Sequence, residues 1–275
     1  MAVPPIRELA ERYALTPSKT LGQNFLLDPN LAAAIARDAG VAAGTRVVEI
    51  GAGLGSLTVA LADAGADEVL AIEFDRALLP GLAETVAGRR AVRVLHADAT
   101  KLDWDATLGD GPWVLCGNLP YNVGTRIVVD VVERVPAVER LVVMLQREVA
   151  ERLAAAPGTG AHGAVSLRVA FRARAEVVRR VPPDVFWPRP AVGSAIVRIE
   201  RRDPPSLAVD EERLWQVVDV AFAARRKTIR NGLRRLGLSL ADADDVLARA
   251  GVDATARPED LGVPEFVRIA EGVPG

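Results

Sequence analysis

Five short runs rich in β-branched and other apolar residues punctuate the first half of the chain: RVVEI (46–50), EVLAIE (68–73), AVRVLHA (91–97), WVLC (113–116) and RLVVMLQ (140–146). Between them SLTVALADAG, ALLPGLAETVAG and GTRIVVDVVERV carry helical spacing. Strands that alternate with helices predict an α/β fold, a mostly parallel sheet with helices on both faces. Ligands of such sheets bind outside the carboxyl ends of the strands, so functional residues are expected just after each run. Beyond residue 160 the pattern changes. AVSLRVAFRA and SAIVRIERR read as two further strands, an antiparallel, hairpin-like finish to the sheet, separated by the proline-rich VPPDVFWPRPAVG. RRDPPSLAVD (201–210) reads as a linker, and the remainder as short helices. The expected organisation is a sheet domain over 1–204 and a small all-helical domain over 205–275.

With 275 residues, half of them hydrophobic, the chain can bury one large core and one small one. No apolar run reaches the length of a membrane span. The N-terminal stretch carries acids and lacks the apolar segment of a signal peptide. A single cysteine, Cys116, excludes an internal disulfide and fits a reducing, cytoplasmic compartment. The net charge of −2 conceals two basic segments, 161–202 and 213–235, each with a local balance of +6. Such segments on an acidic protein suggest a localised surface for a polyanion, although arginine-rich composition alone would also produce them.

Gly51, Gly53 and Gly55 fall at a strand-to-helix turn, where glycine permits a sharp bend and close approach to a ligand. The spacing is GxGxG, not the GxGxxG of dinucleotide binders, and by itself also fits a merely tight turn. Glu73, ending the next strand, can accept both ribose hydroxyl protons, as in NAD or S-adenosylmethionine; it could equally be a solvated strand-end acid. Asp98, after the third strand, can accept from an adenine amine or cap a helix. Three such groups after three successive strands predict an adenosine pocket. His96 reads as a packing residue, His162 has no catalytic partner in sequence, and no metal-ligand cluster is expected.

GNLPY follows the fourth strand and should therefore share that edge. Asn118 offers an amide oxygen, Pro120 stiffens the loop and leaves nearby carbonyls free to point inward, and Tyr121 offers an aromatic face. These are the parts needed to hold a flat, amine-bearing base. The adenine N6 amine is a poor nucleophile because its lone pair is delocalised into the ring. Acceptance of both N–H bonds, by Asn118 and a carbonyl such as that of Leu119, favours a pyramidal nitrogen and stabilises the charge developing as it attacks a sulfonium methyl. Alignment of nitrogen, methyl and sulfur supplies much of the remaining rate.

LGQNFLLD, EIGAGLGSLT, IEFD, ADAT and NLPYN, in this order and spacing, resemble the ribosomal RNA adenine N6-dimethyltransferases. VFWPRPAVGSAIVRI and FAARRKTIRNGL extend the resemblance over nearly the whole chain, which within that family looks like the bacterial small-subunit type. The resemblance implies a seven-stranded, Rossmann-like methyltransferase sheet, S-adenosylmethionine as donor, and dimethylation of two adjacent adenines in a hairpin near the 3′ end of 16S rRNA. It also implies 16S rRNA within an immature 30S subunit as partner. Asn24, Leu26, Gly51, Gly53, Glu73, Asp98 and Asn118 correspond to donor contacts, and Tyr121 and Phe186 to stacking partners of the target adenine. Asn24 could instead cap a turn and Phe186 pack in the core. NVGT and PRPAVGS depart from the usual pattern at Gly124, Arg189 and Gly193, with Gly124 expected to remove a side chain near the base.

FAARRKTIRNGLRRL reads as one helix with Phe222, Ile229, Leu233 and Leu236 on one face. Arg226, Lys227, Arg230 and Arg234 are the candidate RNA-binding residues; a solvated basic face has the same spacing. Two further readings remain: a large-subunit dimethylase of the macrolide-resistance type, and a non-catalytic nucleic-acid-binding relative. Nothing in the sequence demands more than a monomer.

Overall fold

The computed structural model describes residues 4–18, 20–120, 122–224 and 227–274. Two compact units result, one formed by Met1–Glu151 with Arg174–Arg201 and the other by Arg152–Ala173 with Arg202–Gly275.

In the first unit the strands are β1 (Phe25–Leu26), β2 (Arg46–Ile50), β3 (Glu68–Glu73), β4 (Val92–His96), β5 (Trp113–Asn118), β6 (Val138–Gln146), β7 (Ala173–Val181), β8 (Phe186–Trp187) and β9 (Ser194–Arg201). Seven form one sheet in the order β4-β3-β2-β5-β6-β9-β7. The pairs from β4 through to β6 are parallel, and β9 runs antiparallel to β6. Val47, Val48, Val69, Leu70, Val142 and Val143 are fully buried, as expected of strands covered on both faces. From β2 the chain moves outward through β3 and β4, then returns to place β5 on the other side of β2. The carboxyl ends of β2 and β5 therefore flank the point where strand order reverses, where such sheets bind ligands.

The helix Gly124–Arg134 connects β5 to β6. Its C-terminal carbonyls cannot find partners within the helix. Arg201, at the end of β9, caps this helix end and the turn after it: its guanidinium donates to the carbonyls of Val131 and Val132 in the helix and of Val135 and Val138 beyond it, at 2.9–3.1 Å. One arginine of the basic segment 161–202 is thus an internal cap.

AVSLRVAFRA is a helix, Ala164–Arg172, not the expected strand. Its apolar residues at 165, 167, 169 and 171 alternate, which mimics a strand. Packing decides otherwise: Leu167 and Phe171, one turn apart, both enter the core of the second unit with Leu214, Val217 and Phe266. Gly163 starts the helix by donating its N–H to Ser166 Oγ at 3.0 Å. The sheet gains its last strand from the following ARAEVVRRV instead.

The second unit is otherwise helical, with Glu211–Ala223, Ile229–Leu233, Leu240–Ala250 and Val263–Gly272. FAARRKTIRNGLRRL is not one helix. The first segment ends at Ala223, and the next starts after the extended Thr228 (φ −67°, ψ 158°). The Ile229 N–H bonds to the carbonyl of Ala256, 2.8 Å away. The break lets Ile229 and Leu233 bury completely, while Gly232 sits against Ala221, whose Cα would be 3.0 Å from any added Cβ. His162, without a catalytic partner in sequence, is buried between the carbonyls of Ala155 (3.0 Å) and Leu261 (3.1 Å). Among the described residues no helix is long and apolar enough to cross a membrane.

Candidate active site

The turn after β2 is built by glycines in the left-handed region, Gly51 at φ +76° and Gly53 at φ +59°. A side chain at either would be strained. The N–H groups of Gly51 and Ala52 both bond to the Ile72 carbonyl, at 2.9 and 3.1 Å, stapling the turn to β3. Gly53 donates to Glu73 Oε2 (2.7 Å), and Asp75 N–H to Glu73 Oε1 (2.8 Å). Burial pushes the Glu73 carboxyl above its ordinary range, and these backbone donors pull it back in part.

Above the turn lies a cavity of about 290 Å³, near the lower end of the usual range for small-ligand sites. Asn24, Gly51, Gly53, Glu73, Asp98, Asn118 and Pro120 all line it. Residues nearly a hundred positions apart converge because each follows a parallel strand or belongs to the N-terminal segment crossing the same edge.

Asn118 ends β5. Its Nδ2 donates to the Asn24 carbonyl at 2.7 Å. A carbonyl only accepts, so the bond settles which end of the amide is which and leaves Oδ1 as the free acceptor. Asn24 uses its own side chain locally, donating to the Gly22 carbonyl at 3.1 Å, as a turn-capping asparagine does. Asp98 Oδ1 accepts from the Thr100 N–H (3.0 Å) and hydroxyl (2.7 Å). The Thr100 hydroxyl above all, with its N–H and Lys101, holds the Asp98 carboxyl below its ordinary range against the opposing effect of desolvation. Asp98 thus closes a turn while lining the cavity.

The NLPY backbone is only partly as expected. Leu119 is buried, with its N–H on the Met144 carbonyl at 3.0 Å. The Pro120 carbonyl does not point inward: it accepts from Val123 (3.2 Å) and Gly124 (2.8 Å) and starts the following helix. Gly124 leaves no gap beside the base site. A Cβ there would meet Leu145 Cδ2 at 2.4 Å and Leu119 Cβ at 3.2 Å, so the glycine serves helix-to-sheet packing. Tyr121 and Arg226 lie outside the described residues.

Two expected contacts stand apart from the cavity. Phe186 is 3% exposed and packs in the sheet core with Leu26. The reason is the short ladder of β1 with β8, which pairs Leu26 with Phe186 and Phe25 with Trp187. Phe25 lines the cavity and stacks on Trp187 at 6.0 Å between centroids. Leu26 is buried in the same core, and its carbonyl accepts from Ser56 Oγ at 2.7 Å. Among the described residues the exposed aromatic lining the cavity is Phe74, 55% exposed, which sequence reasoning passed over although it directly follows Glu73 in IEFD.

Beneath the turn Glu49 is 1% exposed, and its Oε2 has no partner. Burial, with a smaller contribution from Glu73, pushes its carboxyl up to about 8. The folded chain therefore keeps this proton where the unfolded chain releases it near pH 4.5. Unfolding releases a proton in that interval, so stability falls as pH rises from about 4.5 to about 8. Glu49→Gln is expected to flatten that part of the profile, measured as denaturation midpoint against pH; an unchanged slope would mean that Glu49 ionises freely in the fold.

A sheet of this order, with a glycine turn, a strand-end acid and an oriented amide around one cavity at the switch point, defines a Rossmann-like α/β fold. The family described as "Ribosomal RNA adenine dimethylase" matches residues 15–273, and the chain belongs to that family. "Ribosomal RNA small subunit methyltransferase A" of Acidothermus cellulolyticus is 44% identical, with 98% of this chain and 93% of that protein aligned. The protein of the same name from Mesorhizobium japonicum is 42% identical, covering 98% of both. Among solved structures, the 23S rRNA methyltransferase ErmE superposes with a TM-score of 0.71 at 28% identity, covering 90% of this chain and 99% of that one. A dimethyladenosine transferase from Plasmodium falciparum shares the fold at TM-score 0.76 and 22% identity, covering 89% and 95%.

Proposed function

We propose that the chain transfers methyl groups from S-adenosylmethionine to N6 of two adjacent adenines near the 3′ end of 16S rRNA, yielding N6,N6-dimethyladenosines during small-subunit maturation. The observation that carries the reading is the convergence of Glu73 and Asn118 on one cavity, with the Asn118 amide oriented by Asn24. The residues fit the donor. Glu73 retains lone pairs for ribose hydroxyls beyond its two backbone bonds, Asp98 keeps Oδ2 for an adenine amine beside Lys101, and the Gly51 turn admits the amino-acid end. The donor supplies an electrophilic methyl on a sulfonium. Asn118 Oδ1 and the Leu119 carbonyl accept the two N6–H bonds, concentrating the lone pair on nitrogen and stabilising its developing positive charge. No side chain need be a strong base, because the proton becomes acidic only as the new bond forms.

Small-subunit rather than large-subunit RNA is favoured by the 42–44% identity to small-subunit methyltransferases, against 28% to the 23S enzyme. The helical unit contributes RNA contacts through Lys227 and Arg234, both exposed, whereas Arg230 is held by Asp244 at 2.5 Å. Replacing Lys227 and Arg234 with alanine is expected to weaken RNA binding and to lower the salt slope by about 0.7–0.9 for each phosphate no longer neutralised. An unaltered slope in a filter-binding titration would make that face plain surface. The working form is a cytoplasmic monomer acting on an immature 30S particle.

Incubation with labelled donor and 30S particles lacking the modification tests the whole. Dimethyladenosine mapped to adjacent 16S positions is expected. Label confined to 23S rRNA would assign the chain to the other subunit, and donor binding without transfer would make it a binding protein.

A further inference from the structure

The cavity wall is closed by a run of hydrogen bonds that the reaction chemistry alone does not require. Gln23 precedes Asn24 in the N-terminal segment. Its Oε1 accepts from the Ser18 N–H at 2.7 Å, and its Nε2 donates to Asp75 Oδ2 at 2.7 Å. Asp75 in turn accepts from the Ala77 N–H on Oδ1 (3.0 Å) and donates its own N–H to Glu73. Both side chains are half-buried, and both amide ends of Gln23 are chemically forced: an N–H must meet the oxygen, a carboxylate the nitrogen. One connected path therefore runs from Gly53 through Glu73, Asp75 and Gln23 to Asn24, whose carbonyl orients Asn118.

We infer that the Gln23–Asp75 bond is a latch that sets the Asn24 carbonyl and, through it, the orientation of Asn118, making Gln23 and Asp75 positioning residues for methyl transfer. The inference rests on the role proposed above for Asn118. Without the latch, Gln23 loses its tie to the edge that carries Glu73, and the bonds it keeps, to Ser18, are local. Asn118 then loses a fixed partner for Nδ2, and rotation of its amide would present a donor, not an acceptor, to the N6–H bonds. An acceptor replaced by a donor costs more than an absent one, because two N–H groups then face each other. The Asp75 end lies on the strand edge that carries Glu73, so the latch also couples the donor side of the cavity to the base side.

The donor and acceptor of this bond can be exchanged, which provides the test. Gln23→Glu sets two carboxylates against each other, and Asp75→Asn sets two amide nitrogens against each other while still accepting from Ala77. Combining them restores one donor and one acceptor, and Ser18 and Ala77 keep their bonds. In the full-length enzyme with unmodified 30S particles, each single change is expected to lower kcat about 10- to 100-fold, the cost typical of a misplaced catalytic group. The combined change should return kcat to within about threefold of the parent. Adding Gln23→Glu to Asn118→Ala should cost no further turnover, as expected of residues acting as a unit.

Impaired single variants without recovery in the pair would overturn the latch, as would an undiminished Gln23→Glu loss in the Asn118→Ala background. So would single variants that match the parent while Asn118→Ala is impaired; the role of Asn118 would then survive. Normal turnover by Asn118→Ala would remove that role and the inference with it. Melting temperatures of all variants separate loss of fold from loss of orientation, and recovery in the pair is a readout that simple destabilisation would not reproduce.

Discussion

Alanine at Asn118 is expected to lower kcat by about 10²–10³-fold, the cost of removing one preorganised group that stabilises transition-state charge. The alanine variant keeps the backbone of β5 and the helix start at Gly124, since neither depends on the Asn118 side chain. What disappears is one acceptor in the cavity and one neutral hydrogen bond to Asn24. That bond contributes only about 1 kcal/mol to stability. The chain should therefore fold, melt within a few degrees of the parent and still bind donor, while single-turnover methylation of 30S particles slows. Turnover within about threefold of the parent would defeat the assignment, because a loss of even a single oriented hydrogen bond in the transition state exceeds that.

The second large effect is expected at Glu73. Glutamine there has nearly the same shape and removes the charge, so burial alone would favour it: the Glu73 carboxyl is already pushed up by desolvation. The opposing effect is larger. Both carboxylate oxygens accept backbone N–H groups, from Gly53 and from Asp75. Whichever way the amide turns, its NH₂ meets one of these donors, leaving a buried N–H unsatisfied at about 1–3 kcal/mol. The glycine turn loses its anchor at the place where the donor's ribose would also lose an acceptor. Donor affinity should fall by about 100-fold or more, the combined effect of two disrupted hydrogen-bonding interactions. Calorimetric titration with S-adenosylmethionine measures it. An unchanged dissociation constant would show that the donor's ribose is held elsewhere.

The basic segment 161–202 shows how far local composition can mislead. Its nine arginines suggest a polyanion surface, yet many meet acids or carbonyls brought from other parts of their own unit. Arg179 is bidentate on Asp38, Arg180 lies 3.6 Å from Glu151, and Arg168 and Arg172 face Asp219 and Glu211. Arg198 pairs with Glu176, and Arg201 caps a helix. Exposed pairs of this kind contribute little to stability individually. Their consequence is that the excess charge counted along the chain is not excess charge on the surface.

The site was legible where its residues follow strands. Gly51, Glu73, Asp98 and Asn118 each stand at or just after the carboxyl end of a strand-like run, and a parallel sheet brings such positions to one edge. Less legible were residues whose direction depends on a partner. Phe186 looked like a stacking surface until its pairing opposite Leu26 turned it inward, whereas Phe74 remained exposed at the rim. Gln23 and Asp75 lie inside the motifs LGQNFLLD and IEFD, but nothing in either motif shows that the two side chains bond to each other.

Sequence alone determined the strand–helix alternation, the order of the chemical groups and the family resemblance, because hydrophobic periodicity and glycine turns act over a few residues at a time. Tertiary structure alone decided that AVSLRVAFRA is a helix, that FAARRKTIRNGLRRL is divided between helices ending at Ala223 and starting at Ile229, and that an amide at 118 is oriented by a carbonyl at 24. In each case two local conformations were open to the segment. Contacts with residues far away in the chain supplied the free energy that separated them.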